Sequence, residues 1–171
     1  MVLLTTAYVA HVISAALWTG ATLYVVYALW PDAMSGRLSA KSFVSQVHKL
    51  LLITRWTGVV LPVTGAYLIW VLYTPFELLV ESQRGILVLA MLTLWGVMNG
   101  LIEIGILRMR TTVDAVGFGT YMAEGFPSDL VDKSTAVEEL AARGRPYLLL
   151  SAACAVVLLV VAALLAGGTP F

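Results

Sequence analysis

The sequence predicts an all-α integral membrane protein, an up-down bundle of four helices that forms a single domain over residues 1–171. Hydrophobic residues make up 60% of the chain and charged residues only 12%, whereas a soluble domain carries about 25% charged residues. Four apolar segments are long enough to cross about 30 Å of hydrocarbon, which takes about 20 helical residues. The predicted spans are residues 3–30, 50–73, 85–107 and 147–166.

The connections between the first three spans carry clear helix-boundary signals. The first span is expected to stop at Pro31, because proline lacks the N–H that a continuing helix needs. Ser39 is a favourable N-cap for the helix that leads into the second span. A Thr-Pro pair at positions 74–75 is expected to end that helix.

Residues 111–145 are predicted to form the only sizeable segment outside the membrane. Within it, Thr135 and Glu138 have the spacing of a capping box, which would open a short helix ending at Gly144. Pro146 would then occupy the first turn of the fourth span, where its missing N–H costs nothing.

The basic residues predict the orientation of the bundle. The second connection carries only Arg84, opposed by Glu77 and Glu81. Because cytoplasmic connections are enriched in lysine and arginine, the other two connections are expected in the cytoplasm and both termini outside the cell. The protein is therefore expected to be a multi-pass protein of the cell membrane. The basic residues beside the first and third connections are Arg37, Lys41, Lys49, Arg108, Arg110, Lys133, Arg143 and Arg145.

Charge and cysteine content exclude several partners. The net charge is zero and no basic block occurs, so nucleic acid is not an expected partner. The single cysteine, Cys154, cannot form an internal disulfide or a cysteine-based metal cluster. The expected surroundings are the lipid bilayer and either a second copy of the chain or a larger membrane complex.

His11 is an ionisable residue inside the first span, and such residues usually face the bundle interior. At 3.6 residues per turn it shares a stripe with small and polar residues and with Trp18, a deep tryptophan that could wall a flat macrocycle. Met91 and Thr64 are predicted near its depth. Histidine and methionine can bind copper or haem iron. His11 therefore has two interpretations, a cofactor ligand together with Met91 and Trp18, or an interhelical hydrogen bond.

A second group of polar residues lies toward the cytoplasmic ends of the second and third spans. Arg55 and Glu103 are predicted at the same depth, and an unpaired charge there costs about 3 kcal/mol, so we expect them to pair. Asn99 lies one turn from Glu103, and His48 lies on the helical face of Arg55. At about 1.5 Å per residue, His48 and His11 are roughly 20–27 Å apart in depth and cannot share a metal. The group is either a structural brace or a polar pocket.

Short motifs in the first two spans carry a family resemblance. They are His11-x-x-Ser14-Ala15-x-x-Trp18-x-Gly20 followed by Pro31, then Arg55-Trp56 and Thr64-Gly65. Over the first three spans the chain resembles the membrane domain of the copper-resistance D (CopD) family and the related HemJ-type protoporphyrinogen oxidases, which bind haem b. The resemblance implies a four-helix membrane bundle with His11 as the haem ligand. The HemJ-type enzymes pair that histidine with a lysine in a later span, and the third span here has none.

Three functional hypotheses follow. The first is a small membrane protein that binds haem b or a copper ion through His11, for electron transfer or for handling the metal or cofactor. The second is a solute or ion transporter subunit whose polar pocket contains Arg55, Glu103, Asn99 and His48. The third is a structural subunit of a larger membrane complex. Whether the protein is an enzyme is left open, because the lysine of the HemJ-type enzymes is absent.

Overall fold

A computed structural model describes residues 1–132 and 134–167, and within these ranges the chain is helical with no β-strand. The predicted all-α fold is therefore confirmed. A π-helical turn, Val25–Leu29, joins the first two helices, and a short 3-10 turn, Ser128–Leu130, precedes the last one. The α-helices are α1 (Val2–Tyr24), α2 (Trp30–Met34), α3 (Ala40–Leu72), α4 (Leu78–Glu81), α5 (Gln83–Val113), α6 (Phe118–Glu124) and α7 (Val137–Gly167).

Four helical segments are long and apolar enough to cross a membrane. The first combines α1, the π-helical turn and α2 over Val2–Met34, and the others are α3, α5 and α7. Their outward faces carry large apolar side chains such as Leu17, Val63 and Val160, each more than half exposed. Such faces suit contact with lipid, which cannot solvate polar groups.

The four segments pack chiefly as two antiparallel pairs, α1 with α3 and α5 with α7. The α5–α7 interface is the closest because glycines face the partner helix. A Cβ atom on Gly105 would lie 3.0 Å from the Cβ of Tyr147, and one on Gly144 would lie 2.8 Å from the sulfur of Met109. Small residues of this kind let membrane helices approach closely without a hydrophobic driving force.

Two predicted helix ends are wrong. The first segment continues through Pro31 to Met34, because the preceding π-helical turn rearranges the backbone hydrogen bonds around the proline. The predicted short helix ending at Gly144 is part of α7, which runs unbroken through Gly144 and Pro146. Gly144 serves the close contact with α5 rather than helix termination.

Other local predictions can be compared directly. Ser39 caps α3 as expected, because its hydroxyl accepts a hydrogen bond of 3.2 Å from the backbone N–H of Ser42. The capping box does not form, since α7 begins at Val137 and the Thr135 hydroxyl lies 3.2 Å from a carboxylate oxygen of Asp132. The first, third and fourth segments extend past the predicted spans at both ends, whereas α3 begins earlier than its span and ends one residue short of it. Residues 111–113 of the predicted loop 111–145 therefore belong to α5.

The connection 35–39 and the segment 114–136 lie at the same end of the bundle, which we call the inner end. A Cβ atom on Gly36 would lie 2.7 Å from a carboxylate oxygen of Glu138, which places the first connection beside the start of α7. The connection 73–82 lies at the opposite, outer end. The chain thus runs up and down as predicted, and the placement of the inner end in the cytoplasm stays a prediction from the basic residues.

Candidate functional site

The structure forms the predicted ion pair between α3 and α5 near the inner end. Arg55 Nε donates to Glu103 Oε1 at 2.9 Å, and Arg55 Nη2 donates to Glu103 Oε2 at 3.1 Å. Two parallel bonds between a guanidinium and a carboxylate are among the strongest hydrogen-bonded arrangements in proteins. Both side chains are about one quarter exposed, so the pair is partly withdrawn from its surroundings.

Helix α6 folds back over this pair. The Tyr121 hydroxyl donates to Glu103 Oε2 at 2.7 Å, and Arg55 Nη1 donates to the carbonyl of Met122 at 2.7 Å. The guanidinium carbon of Arg55 also lies 5.2 Å from the centre of the Tyr121 ring. Burial, followed by the hydrogen bond to the Glu103 carboxylate, raises the pKa of the Tyr121 phenol. We call Arg55, Glu103, Tyr121 and the Met122 carbonyl the inner network.

Sequence reasoning missed Tyr121, and no signal in the sequence identifies it. It lies in a seven-residue helix within a connecting segment, where no hydrophobic periodicity marks a buried side. It is nevertheless fully buried in the structure. Its role follows only from the way the segment 114–136 folds onto the ends of α3 and α5.

A second ion pair holds the end of α6. Arg110, which is 1% exposed, donates to Glu124 Oε2 at 2.7 Å and to the carbonyl of Gly125. Gly125 has a φ of +70°, which favours glycine over any other residue. A Cβ atom there would lie 2.8 Å from Leu51 and 3.2 Å from the ring of His48.

The four residues predicted to form a polar pocket therefore occupy three places. Arg55 and Glu103 are paired under α6. Asn99 lies on the same α3–α5 interface, where its amide nitrogen is 3.7 Å from the position of a Cβ atom on Gly58. His48 lies closer to the inner end, under Gly125, and its buried Nδ1 has no hydrogen-bond partner among the described residues.

His11 contacts α3, as its predicted depth implied. Its Nδ1 lies 2.8 Å from the hydroxyl oxygen of Thr64, and that hydroxyl also lies 2.7 Å from the carbonyl of Val60. Gly65 makes room for the ring, since a Cβ atom there would lie 3.3 Å from its Cε1. Thr64 and Gly65, which both lie beside the ring, belong to one turn of α3.

The hydrogen-bond network assigns the imidazole proton. A threonine hydroxyl has one hydrogen, and the Thr64 oxygen lies 2.7 Å from the Val60 carbonyl and 3.2 Å from the Leu61 carbonyl of its own helix. We infer from these contacts that the hydroxyl donates to its own helix and that His11 Nδ1 donates to the Thr64 oxygen. A neutral ring protonated on Nδ1 carries a lone pair on Nε2, the form that binds metals.

The other two residues predicted beside His11 belong to the bundle core. Trp18 is 2% exposed, and Met91 on α5 packs, partly buried, against the same core. Trp56, another deep tryptophan, is 74% exposed and faces outward. Among the described residues no group of three histidine, cysteine or acidic side chains is arranged to hold a metal ion. On the first span, the candidate metal ligand is therefore His11, whose ring is in contact with Thr64.

Comparison of the chain with family models, curated proteins and solved structures finds no match. The resemblance to the CopD and HemJ-type proteins stays a prediction. The functional argument consequently rests on the geometry of His11 and of the inner network.

Proposed function

We propose that the protein binds a haem b or copper cofactor through Nε2 of His11 and serves in electron transfer or in handling the metal or cofactor. The single observation that supports this is the contact of His11 Nδ1 with Thr64. Histidines that bind metals nearly always donate their other N–H to an acceptor, which sets the ring orientation and makes the free nitrogen a better ligand.

The donor set favours haem over copper. A porphyrin supplies the equatorial nitrogens itself, so a single axial histidine from the protein can be enough. A copper ion held by the protein alone requires several ligands. Since no group of three histidine, cysteine or acidic side chains could hold a metal ion among the described residues, haem requires fewer ligands from this chain than copper does. Met91, or His11 from a second copy of the chain, would supply a second axial ligand.

The surrounding residues have distinct tasks in this proposal. Thr64 holds the Nδ1 proton and thereby keeps Nε2 unprotonated. Gly65 leaves room beside the ring, and Trp18, two turns away on the same helical stripe, would provide a rigid apolar wall. When bound, the haem would supply one-electron redox chemistry, and the protein would contribute binding, orientation and exclusion of water.

A visible spectrum of purified protein with added haem tests the proposal. The wild type should give a sharp α band on reduction, and His11→Ala should abolish it. His48→Ala, the matched change at the other histidine, should leave the band intact. Thr64→Val should weaken haem affinity at least about tenfold, the usual effect of losing such a partner. A full spectrum in His11→Ala would exclude the site, whereas a colourless wild type that binds copper through His11 would select copper.

The alternative function, suggested by the polar residues of the inner network, is a transporter. Arg55 and Glu103 satisfy each other, and Tyr121 lies over them, which favours a bracing role over an open pathway. Solute flux in liposomes tests the alternative. If the wild type shows flux and both Glu103→Gln and Asn99→Ala abolish it while keeping their fold, transport is favoured over bracing.

A further inference from the structure

We propose that the inner ends of α5 and α7 form a binding site for the phosphate group of an anionic phospholipid, held between Arg108 and Arg143. The site is separate from His11 and from the inner network, and it does not depend on a cofactor. It is an open cleft of about 400 Å³ lined by Arg108, Thr111, Thr112, Glu139 and Arg143.

The two arginines have no carboxylate partner in the part of the chain that the structure describes. Three other arginines do, since Arg37, Arg55 and Arg110 each form an ion pair. Arg108 and Arg143 are both exposed and line the same cleft. Two arginines that line one cleft suit the binding of a phosphate, because each guanidinium group presents a fork of N–H donors.

The cleft lies where lipid headgroups would be found. Ile104 is one turn from Arg108 toward the middle of α5, and Leu150 is two turns from Arg143 toward the middle of α7. Both are lipid-compatible side chains, 44% and 54% exposed. A lipid whose phosphate entered the cleft would therefore have exposed apolar side chains of both helices beside its acyl chains.

The close approach of the two helices brings the arginines together. Gly105, one turn from Arg108, and Gly144, next to Arg143, are the small residues at which α5 and α7 come nearest. A larger residue at either position would meet the opposite helix and spread the cleft. The glycines thus explain why two separate sequence segments present their guanidinium groups to one cavity.

The charge of the lining selects the class of lipid. Two arginines and Glu139 give a net charge of +1, which complements the single negative charge of a phosphodiester. The hydroxyls of Thr111 and Thr112 donate to the carbonyl of Arg108, both at 3.1 Å, so toward the cleft they act as acceptors. These oxygens and the Glu139 carboxylate suit a headgroup with hydroxyl donors, such as phosphatidylglycerol.

Native mass spectrometry of the full chain in detergent tests the site. Phosphatidylglycerol should remain bound to the wild type in preference to phosphatidylcholine and phosphatidylethanolamine. The Arg108→Gln/Arg143→Gln variant should bind it about thirtyfold more weakly. The control, Arg84→Gln/Arg145→Gln, removes the same charge outside the cleft and should retain the wild-type affinity. Arg108→Lys/Arg143→Lys keeps the charge without the fork and should show an intermediate loss.

Four outcomes would overturn the proposal. Equal losses in the glutamine variant and its control would mean general attraction to charge. Equal binding of phosphatidylcholine would mean that the cleft does not select anionic lipid, and full retention by the lysine variant would show that the guanidinium fork is not used. Millimolar inorganic phosphate that binds and displaces the lipid would assign the site to free phosphate instead. Both arginines are exposed, and an unchanged helical circular dichroism melt confirms that each variant folds.

Discussion

The two polar regions inside the bundle differ in how completely their hydrogen-bonding groups are satisfied. In the inner network, Arg55, Glu103 and Tyr121 bond to one another and to the backbone of α6. His11, in contrast, makes one side-chain hydrogen bond among the described residues, between Nδ1 and the Thr64 hydroxyl, and in the proposed function its Nε2 binds the cofactor. The first arrangement uses up its polar groups to hold helices together, whereas the second leaves one available.

The difference follows from the cost of charge in a membrane. An unpaired charge near the middle of a span costs about 3 kcal/mol or more, so arginine and glutamate are retained there only with partners. A neutral imidazole with one hydrogen bond costs much less. A membrane protein that must keep a polar group open for a ligand can therefore do so with a neutral histidine. This is the physical reason for proposing a bracing role for the inner network and a binding role for His11.

The largest expected effect is the loss of one partner from the inner network. Arg55→Leu or Glu103→Leu alone should lower the free energy of unfolding by about 3 kcal/mol, because each leaves the other charge without its partner. The double variant should lose less than the sum of the two single losses. Unfolding in detergent by a denaturing surfactant measures all four proteins. Additive losses would show that the pair does not brace the bundle. The proposed contrast between a bracing inner network and a binding site at His11 would then be wrong.

A smaller effect is expected where α6 ends over His48. Gly125→Ala should destabilise the protein by about 2 kcal/mol, because φ is +70° and the new methyl group would meet Leu51 at 2.8 Å. Gly119→Ala is the matched control, since a Cβ atom there meets nothing within 4 Å inside a helix. Thermal unfolding compares the two. Equal stability of both variants would mean that α6 is not held tightly on the bundle.

The smallest expected effect concerns Tyr121. Tyr121→Phe removes the hydroxyl that bonds to Glu103 and should cost about 1 kcal/mol at neutral pH. The pKa of the phenol is raised above its ordinary value of 10.0 in the folded protein. Above that pH the unfolded chain loses this proton first, so stability should fall as pH rises further.

The pH dependence gives a separate measurement of the same contact. Thermal unfolding between neutral pH and pH values above about 10 should show a shallower fall in Tyr121→Phe than in the wild type. An unchanged slope in Tyr121→Phe would indicate that the phenol is not buried against the carboxylate.

Local sequence signals were reliable where tertiary contacts did not compete with them. Ser39 caps α3 as predicted, because a cap involves only neighbouring residues. Pro31 and Gly144 do not end their helices. The helix continues beyond Pro31 with rearranged backbone hydrogen bonds, and it continues beyond Gly144 because α7 packs against α5 there. A helix-breaking tendency of about 1 kcal/mol for glycine is small compared with the packing of a whole membrane helix.

By itself, the sequence determined the helical class, the four apolar segments and the pairing of Arg55 with Glu103. Apolar length is a direct property of composition, and a constant rise per residue converts sequence position into depth. The same depth argument placed Thr64 beside His11, and the structure confirms it. Tertiary structure alone decided that Tyr121 covers the ion pair and that Arg108 and Arg143 face one cleft. Those contacts depend on how a connecting segment folds back and on which helix faces meet, and neither has a periodic signal along the chain.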